Sequence, residues 1–130
     1  MSDPSTTVLV ALTVITAATP LVFAAIGELV TERSGVLNLG VEGMMLVGAV
    51  SSFLCVHVYG SAPLALLVGM AGGMVMALLF GFLTLSLQAS QVATGLALTI
   101  FGTGLSALVG QSLIGVAYGC LLYTSPSPRD

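Results

Sequence analysis

The segment Glu28–Glu42 holds four charged side chains, in a chain with two basic and five acidic residues altogether. Glu42 follows Asn38 by four residues and lies beside two glycines, Gly40 and Gly43. A carboxylate and an amide can hydrogen-bond the hydroxyls and ring nitrogens of a small solute, and glycines leave the backbone open to close approach. These four residues, Asn38, Gly40, Glu42 and Gly43, are therefore the candidates for a substrate path.

Glu42 lies inside an apolar run, where a charge is costly. A carboxylate at the centre of a membrane costs about 2.5 to 3.5 kcal/mol on insertion scales. We expect Glu42 to face the interior of a helix bundle, on the same helical face as Asn38. Two interpretations stay open: a polar contact for a substrate, or a neutral or hydrogen-bonded group that only holds helices together. Glu32 and Arg33 are expected in a solvated helix end and loop.

The overall composition is that of a membrane protein. Hydrophobic residues make up 57% of the 130 residues, charged residues 5%, and the mean hydropathy is +1.16. A soluble domain carries about 25% charged residues. The net charge of −3, with no basic cluster, argues against nucleic acid as a partner. The chain is therefore predicted to be an all-α, polytopic transmembrane helix bundle.

Four apolar runs are long enough to cross a bilayer, which takes about 20 residues. They are Val8–Gly27, Val36–Val56, Ala62–Leu87 and Val92–Tyr118. Short connections, "TERSG", "HVYGSAP" and "QASQ", predict a compact antiparallel bundle. Arg33 alone carries the positive-inside signal, which places "TERSG" and "QASQ" in the cytoplasm.

Two of the runs carry small residues at helical spacing. Such ridges let helix backbones approach closely where water supplies no hydrophobic force, so a packing role is favoured over substrate contact. The predicted packing residues are Gly69, Gly73, Ala77, Gly81, Gly102, Ser106 and Gly110.

Residues for covalent chemistry are sparse. His57 is the single histidine and has no carboxylate near it in sequence, and Cys55 and Cys120 have no metal-binding spacing. We predict no catalytic residue, no metal site and no cofactor. Lysine is absent, so no ATP-binding G-x-x-x-x-G-K-[ST] motif occurs.

The last eleven residues differ from the rest. "CLLYTSPSPRD", Cys120–Asp130, matches one reading frame of a common transposase-type sequencing adapter over its whole length. We therefore expect residues 1–119 to be the N-terminal part of a transmembrane permease domain and residues 120–130 to be a translated artefact.

Two segments carry a family resemblance. "ERSGVLNLGVEGMMLVGA", Glu32–Ala49, and "QVATGLALTIFGTGLSALVGQ", Gln91–Gln111, resemble permease subunits of ABC importers for nucleosides and simple sugars. These permeases form a branch of the ribose and branched-chain amino acid permease family. The resemblance implies a bacterial or archaeal inner-membrane location, and a substrate path through Val36–Ala49.

The resemblance also implies partners. They are an ATPase subunit, a second permease subunit, an extracytoplasmic substrate-binding lipoprotein and the lipid bilayer. The leading hypothesis is thus a permease subunit of an ATP-driven importer for a nucleoside or simple sugar. The alternative is a fragment of an ion-coupled secondary transporter, with Glu42 as a proton or sodium site.

Overall fold

The computed structural model describes residues 4–115, and this part of the chain is all helix, turn and connecting segment. Its helices are α1 (Pro4–Arg33), α2 (Val41–Tyr59), α3 (Ala62–Gly81) and α4 (Gln91–Gly110). A π-helical turn, Phe82–Ser86, continues α3, and a 3-10 turn, Gln111–Leu113, follows α4. All four helices are long and apolar enough to cross a membrane. The predicted all-α class with four spans is confirmed, while the end of the fourth predicted run and the tail Cys120–Asp130 lie outside the described residues.

Helix α1 runs further than the apolar run predicted. It continues through Glu28 and Glu32 to Arg33, so the loop expected at "TERSG" is wrong for its first three residues. Gly35, at φ +82°, ends the helix. The Gly35 N–H donates to the Glu32 carbonyl (2.9 Å) and the Val36 N–H to the Thr31 carbonyl (3.1 Å). This pair of bonds is the Schellman ending, which glycine favours because it adopts positive φ without strain.

Helix α2 begins later than predicted, at Val41 instead of Val36. Val36–Gly40 is not helical, and Gly40 occupies the N-cap position without a side-chain cap bond. The expectation that Asn38 lies on the same helical face as Glu42 is therefore wrong. The first five residues of the predicted apolar run Val36–Val56 therefore lie outside the helix.

Helix α2 is the centre of the packing. It runs antiparallel to α3, since Gly48 lies against Gly69 while Met44 lies near Gly73. It runs parallel to α4, since Gly40 lies against Gly95 and Gly43 against Gly102. The buried hydrophobic core joins these three helices through Met44, Met76, Phe80 and Leu98.

Helix α1 lies to one side of this trio and contributes no buried residue. An open groove of about 700 Å³ separates its middle from α2 and α3, with Pro20 and Phe23 on one wall and Gly48 and Gly69 on the other. The compact bundle that short connections predict thus holds for α2, α3 and α4, and α1 joins it mainly at its C-terminal end.

Candidate functional site

The non-helical segment Val36–Gly40 is where α1, α2 and α4 meet. Because α2 and α4 are parallel and Gly40 lies against Gly95, the segment runs beside the first turns of α4. At its two ends the Val36 N–H donates to the Thr31 carbonyl of α1 and the Gly40 carbonyl accepts from the Met44 N–H of α2. The backbone groups between these ends have no backbone partner within a helix. In a membrane such groups need partners from the protein, since lipid offers none.

Side chains from two helices bind the first part of this segment. The Leu37 N–H donates to Oε1 of Gln91, at the start of α4, over 2.7 Å. The Asn38 N–H donates to Oε1 of Glu28, in the last turns of α1, over 2.9 Å. Thr99, described next, binds a third backbone group. We call Glu28, Gln91 and Thr99 the clamp, because their side chains hold the non-helical backbone of Val36–Gly40 in place.

The rest of the segment is bound in the same way. The Thr99 hydroxyl donates to the Leu39 carbonyl over 3.0 Å. The Gly40 N–H donates to Oδ1 of Asn38 over 3.0 Å, and Nδ2 of Asn38 lies 3.5 Å from the sulfur of Met44. Asn38 is buried, with 9% of its surface exposed. Its amide therefore organises the turn into α2, and its role as a substrate contact stays a prediction.

Sequence reasoning did not single out the clamp residues. Glu28 was given no role of its own, but it is half-buried and accepts a backbone hydrogen bond. Gln91 and Thr99 lie 54 and 60 residues from the backbone groups that they bind. The one local signal for Glu28 is a carboxylate placed directly after a long uncharged run.

Two glycines mark the closest approach of α2 and α4. A Cβ placed on Gly43 would lie 2.5 Å from the Leu98 carbonyl oxygen and 2.8 Å from the Thr99 Cα. A Cβ on Gly102 would lie 2.6 Å from the Gly43 carbonyl oxygen. No side chain fits between such backbones, so Gly43 is covered by α4.

Gly40 is enclosed as well. A Cβ at this position would lie 3.2 Å from Oδ1 of Asn38 and 3.3 Å from the Gly95 carbonyl oxygen. Of the four predicted path residues, Asn38, Gly40 and Gly43 are therefore buried between helices, and their contact with a substrate stays a prediction.

Glu42 is the exception among the four, and, contrary to expectation, it does not face the interior of the described helices. It is exposed, and it is the second residue of α2, where a negative charge is favoured by the helix dipole. Its neighbour Gly43 lies against Leu98 and Gly102, the eighth and twelfth of the 20 residues of α4. The Glu42 carboxylate thus lies at the N-terminal end of α2 but level with the middle of α4.

The ridge predicted in α3 meets α2 at one end. A Cβ on Gly69 would lie 3.0 Å from the Gly48 carbonyl oxygen, and one on Gly73 would lie 3.9 Å from the Met44 carbonyl oxygen. Ala77 is exposed, and nothing lies within 4 Å of a Cβ on Gly81. The packing role of these last two residues stays a prediction.

The ridge predicted in α4 behaves similarly. Gly102 lies at the crossing with α2, whereas Ser106 is half-buried and a Cβ on Gly110 would meet nothing within 4 Å. Gly72, which sequence reasoning left out, packs closely in α3: a Cβ there would lie 2.8 Å from Oγ of Ser51. Residues at spacings of three and four share a helix face, so the spacing of four alone could not select the contact face.

The described part of the chain contains no candidate metal site. Across residues 4–115, no group of three or more His, Cys, Asp or Glu side chains could hold a metal ion.

The sequence matches the family described as branched-chain amino acid transport system, permease component, over residues 10–128. That range extends past the boundary predicted at Gly119, and the origin of the tail stays a prediction.

Individual relatives give the same picture. A Haloferax volcanii protein provisionally named a glucose ABC transporter permease is 50% identical over 98 residues, which are 75% of this chain and 30% of that protein. A guanosine ABC transporter permease of Bacillus subtilis is 35% identical over 106 residues, 77% of this chain and 33% of the relative.

A third relative is a nucleoside ABC transporter permease of Lactococcus lactis, 32% identical over 99 residues, 72% of this chain and 31% of the relative. The chain therefore spans about a third of the length of the curated relatives that it matches. No solved structure matches it.

Proposed function

This chain belongs to the family of permease components of branched-chain amino acid transport systems, and from that premise we propose that it forms part of the substrate path of an ATP-driven importer. The chain is a multi-pass protein of the cell membrane. The observation that carries the proposal is Glu42: an exposed carboxylate level with the middle of a membrane-spanning helix, in a chain with few charges.

We propose a nucleoside or a simple sugar as the substrate. The relatives are named for glucose, guanosine and nucleosides. These solutes share a ring that carries several hydroxyls, and a carboxylate accepts hydrogen bonds from hydroxyls. An exposed Glu42 suits this chemistry.

The energy for transport comes from another chain, since the family is a permease component of its transport system. The sequence has no lysine, and the phosphate-binding loop of ATPases needs one. We propose that an ATPase subunit, a second permease subunit and an extracytoplasmic substrate-binding lipoprotein complete the importer. Within this chain, the work is to hold a path and change its shape, and no bond is made or broken.

The experiment is uptake of labelled guanosine and labelled glucose by cells that carry the intact gene with its neighbouring transport genes. We expect uptake of one of the two to stop when the catalytic lysine of the ATPase is replaced, and to continue when the proton and sodium gradients are collapsed at constant ATP. Uptake that follows the ion gradient and ignores ATP would support the ion-coupled alternative instead. Uptake of neither guanosine nor glucose, nor of other nucleosides and simple sugars offered in the same way, would refute the proposed substrate class.

A further inference from the structure

The three packed helices leave one face of α2 and α4 open. Helix α3 packs on one side of both, through Gly48 and Gly69 with α2 and through Phe80 and Leu98 with α4. Since α2 and α4 pack directly against each other, their sides away from α3 lie next to each other. We call this surface the open face.

On α2, positions 42, 46, 49 and 53 recur at spacings of three and four, so they form one stripe, and all four are exposed. On α4, positions 99, 103, 106 and 110 form the matching stripe, half-buried except for the exposed position 103. The stripes meet at their far end, where Ala49, Phe53, Gly110 and Leu113 line a groove of about 370 Å³.

The near half of the open face is polar except for Leu46. It holds the Glu42 carboxylate on α2 and the hydroxyls of Thr99, Thr103 and Ser106 on α4. The Thr103 hydroxyl donates to the Thr99 carbonyl (2.7 Å), and the Ser106 hydroxyl to the Thr103 carbonyl (2.9 Å). The Thr103 and Ser106 hydroxyls thus use their protons within the helix, which leaves their oxygens free to accept a further bond.

Hydroxyls alone would not distinguish this face from one that meets lipid. Helix α1 has exposed hydroxyls of the same kind at Thr13, Thr16 and Thr19, each donating to the carbonyl four residues earlier. What α1 lacks beside them is a charge. A carboxylate exposed to lipid near the middle of the membrane is strongly unfavourable, so the open face needs water, a polar solute or polar protein groups in front of it.

We propose that the open face lines the substrate path, with Thr103, Ser106 and Glu42 as its hydrogen-bonding groups and Phe53 as its apolar surface. This inference rests on the proposed function and assigns the substrate contacts within it. A sugar or nucleoside presents hydroxyl donors at its edge and an apolar ring face. The polar half of the open face accepts hydrogen bonds from the hydroxyls, and the ring of Phe53 packs against the apolar ring face.

The first test is the accessibility of Thr103 in the intact permease with its partners. In a variant with the native cysteines replaced by alanine, Thr103→Cys should react with a small, hydrophilic thiol reagent, and saturating transported solute should slow that reaction. Ile100→Cys is the matched control, because Ile100 is exposed on α4 but off this stripe. Equal, slow reaction at both positions would overturn the proposal, since it would mean that lipid or protein covers the open face.

The second test is uptake at matched membrane expression. Thr103→Val keeps the shape and removes the acceptor, and loss of one such bond should lower uptake at limiting solute about three- to tenfold. Thr103→Ser should restore it, and Thr19→Val in α1 should match wild type. Uptake by Thr103→Val equal to wild type would refute the assignment while leaving the importer in place, whereas absence of ATP-dependent uptake in wild type would refute the importer itself.

Discussion

Helices α1 and α4 are both apolar, yet they join the protein in opposite ways. Helix α4 crosses α2 with backbone against backbone, at Gly43 and Gly102. Helix α1, the longest at 30 residues, buries none of its residues and bonds to the connecting segment through Glu28. Apolarity therefore accounts for the presence of both helices in the membrane, and it does not account for which helices pack. Small residues and a few polar bonds decide the packing, as expected where water supplies no hydrophobic force.

The largest expected effect breaks the α2–α4 crossing. In Gly102→Ala the new Cβ would lie 2.6 Å from a backbone oxygen and 2.7 Å from the Gly43 Cα, so the helices must separate. We expect most of the folded intact permease to be lost, as measured by the yield of monodisperse protein in detergent. Gly104→Ala, in the same helix with nothing within 4 Å, is the matched control and should match wild type. A normal yield for Gly102→Ala would show that this crossing is not tight.

The next effect releases α1. In Glu28→Leu the Asn38 N–H loses its acceptor, and an unpaired buried polar group costs about 1 to 3 kcal/mol. We expect a clear fall in the thermal unfolding temperature of the intact permease, and a smaller fall for Glu28→Gln, which keeps a carbonyl oxygen in reach. Glu32→Leu, on the same helix and exposed, is the control. If both leucine variants unfold at the same temperature, the Glu28 clamp contributes nothing.

A smaller effect is expected at the α2–α3 contact, where two glycines can be compared. A Cβ on Gly69 would lie 3.0 Å from the Gly48 oxygen, whereas one on Gly73 would lie at an ordinary 3.9 Å from the Met44 oxygen. Gly69→Ala should lower the unfolding temperature modestly, and Gly73→Ala should leave it unchanged or raise it slightly. The opposite order would show that the α2–α3 contact centres on Gly73.

Topology can be tested without disturbing packing. The clamp joins the segment after α1 to Gln91 at the start of α4, so Ser34 and the "QASQ" connection lie at one end of the bundle, and Ser61 lies at the other. We expect a cysteine at Ser34 in the intact permease to resist a membrane-impermeant thiol reagent in whole cells and one at Ser61 to react. The reverse pattern would invert the predicted orientation.

The sequence predicted the four spans because hydropathy reports which stretches prefer a membrane. It could not predict that Val36–Gly40 stays unwound, since Val36, Leu37 and Leu39 are as apolar as the helix that follows. The apolarity of a stretch indicates that it lies in the membrane. Whether Val36–Gly40 is helical depends instead on hydrogen-bond partners supplied by distant residues.

The candidate site was predicted in part for the same reason. The pattern directed attention to Glu42 and its neighbours, but it could not separate the exposed Glu42 from the buried Asn38, Gly40 and Gly43. That separation depends on α4, whose contacts with this segment lie more than fifty residues away in the chain.

The proposal that α2 and α4 present a substrate path depends most directly on Glu42. The decisive measurement is ATP-dependent uptake of labelled guanosine or glucose by the intact transporter carrying Glu42→Gln, at matched membrane expression. Glu42→Gln keeps the shape but replaces a charged acceptor, so uptake should fall about tenfold, the equivalent of about 1.4 kcal/mol, while the unfolding temperature stays near that of wild type. Glu32→Gln, exposed at the end of α1, should transport like wild type. Wild-type uptake by Glu42→Gln would contradict the account, because the path would then not include this carboxylate.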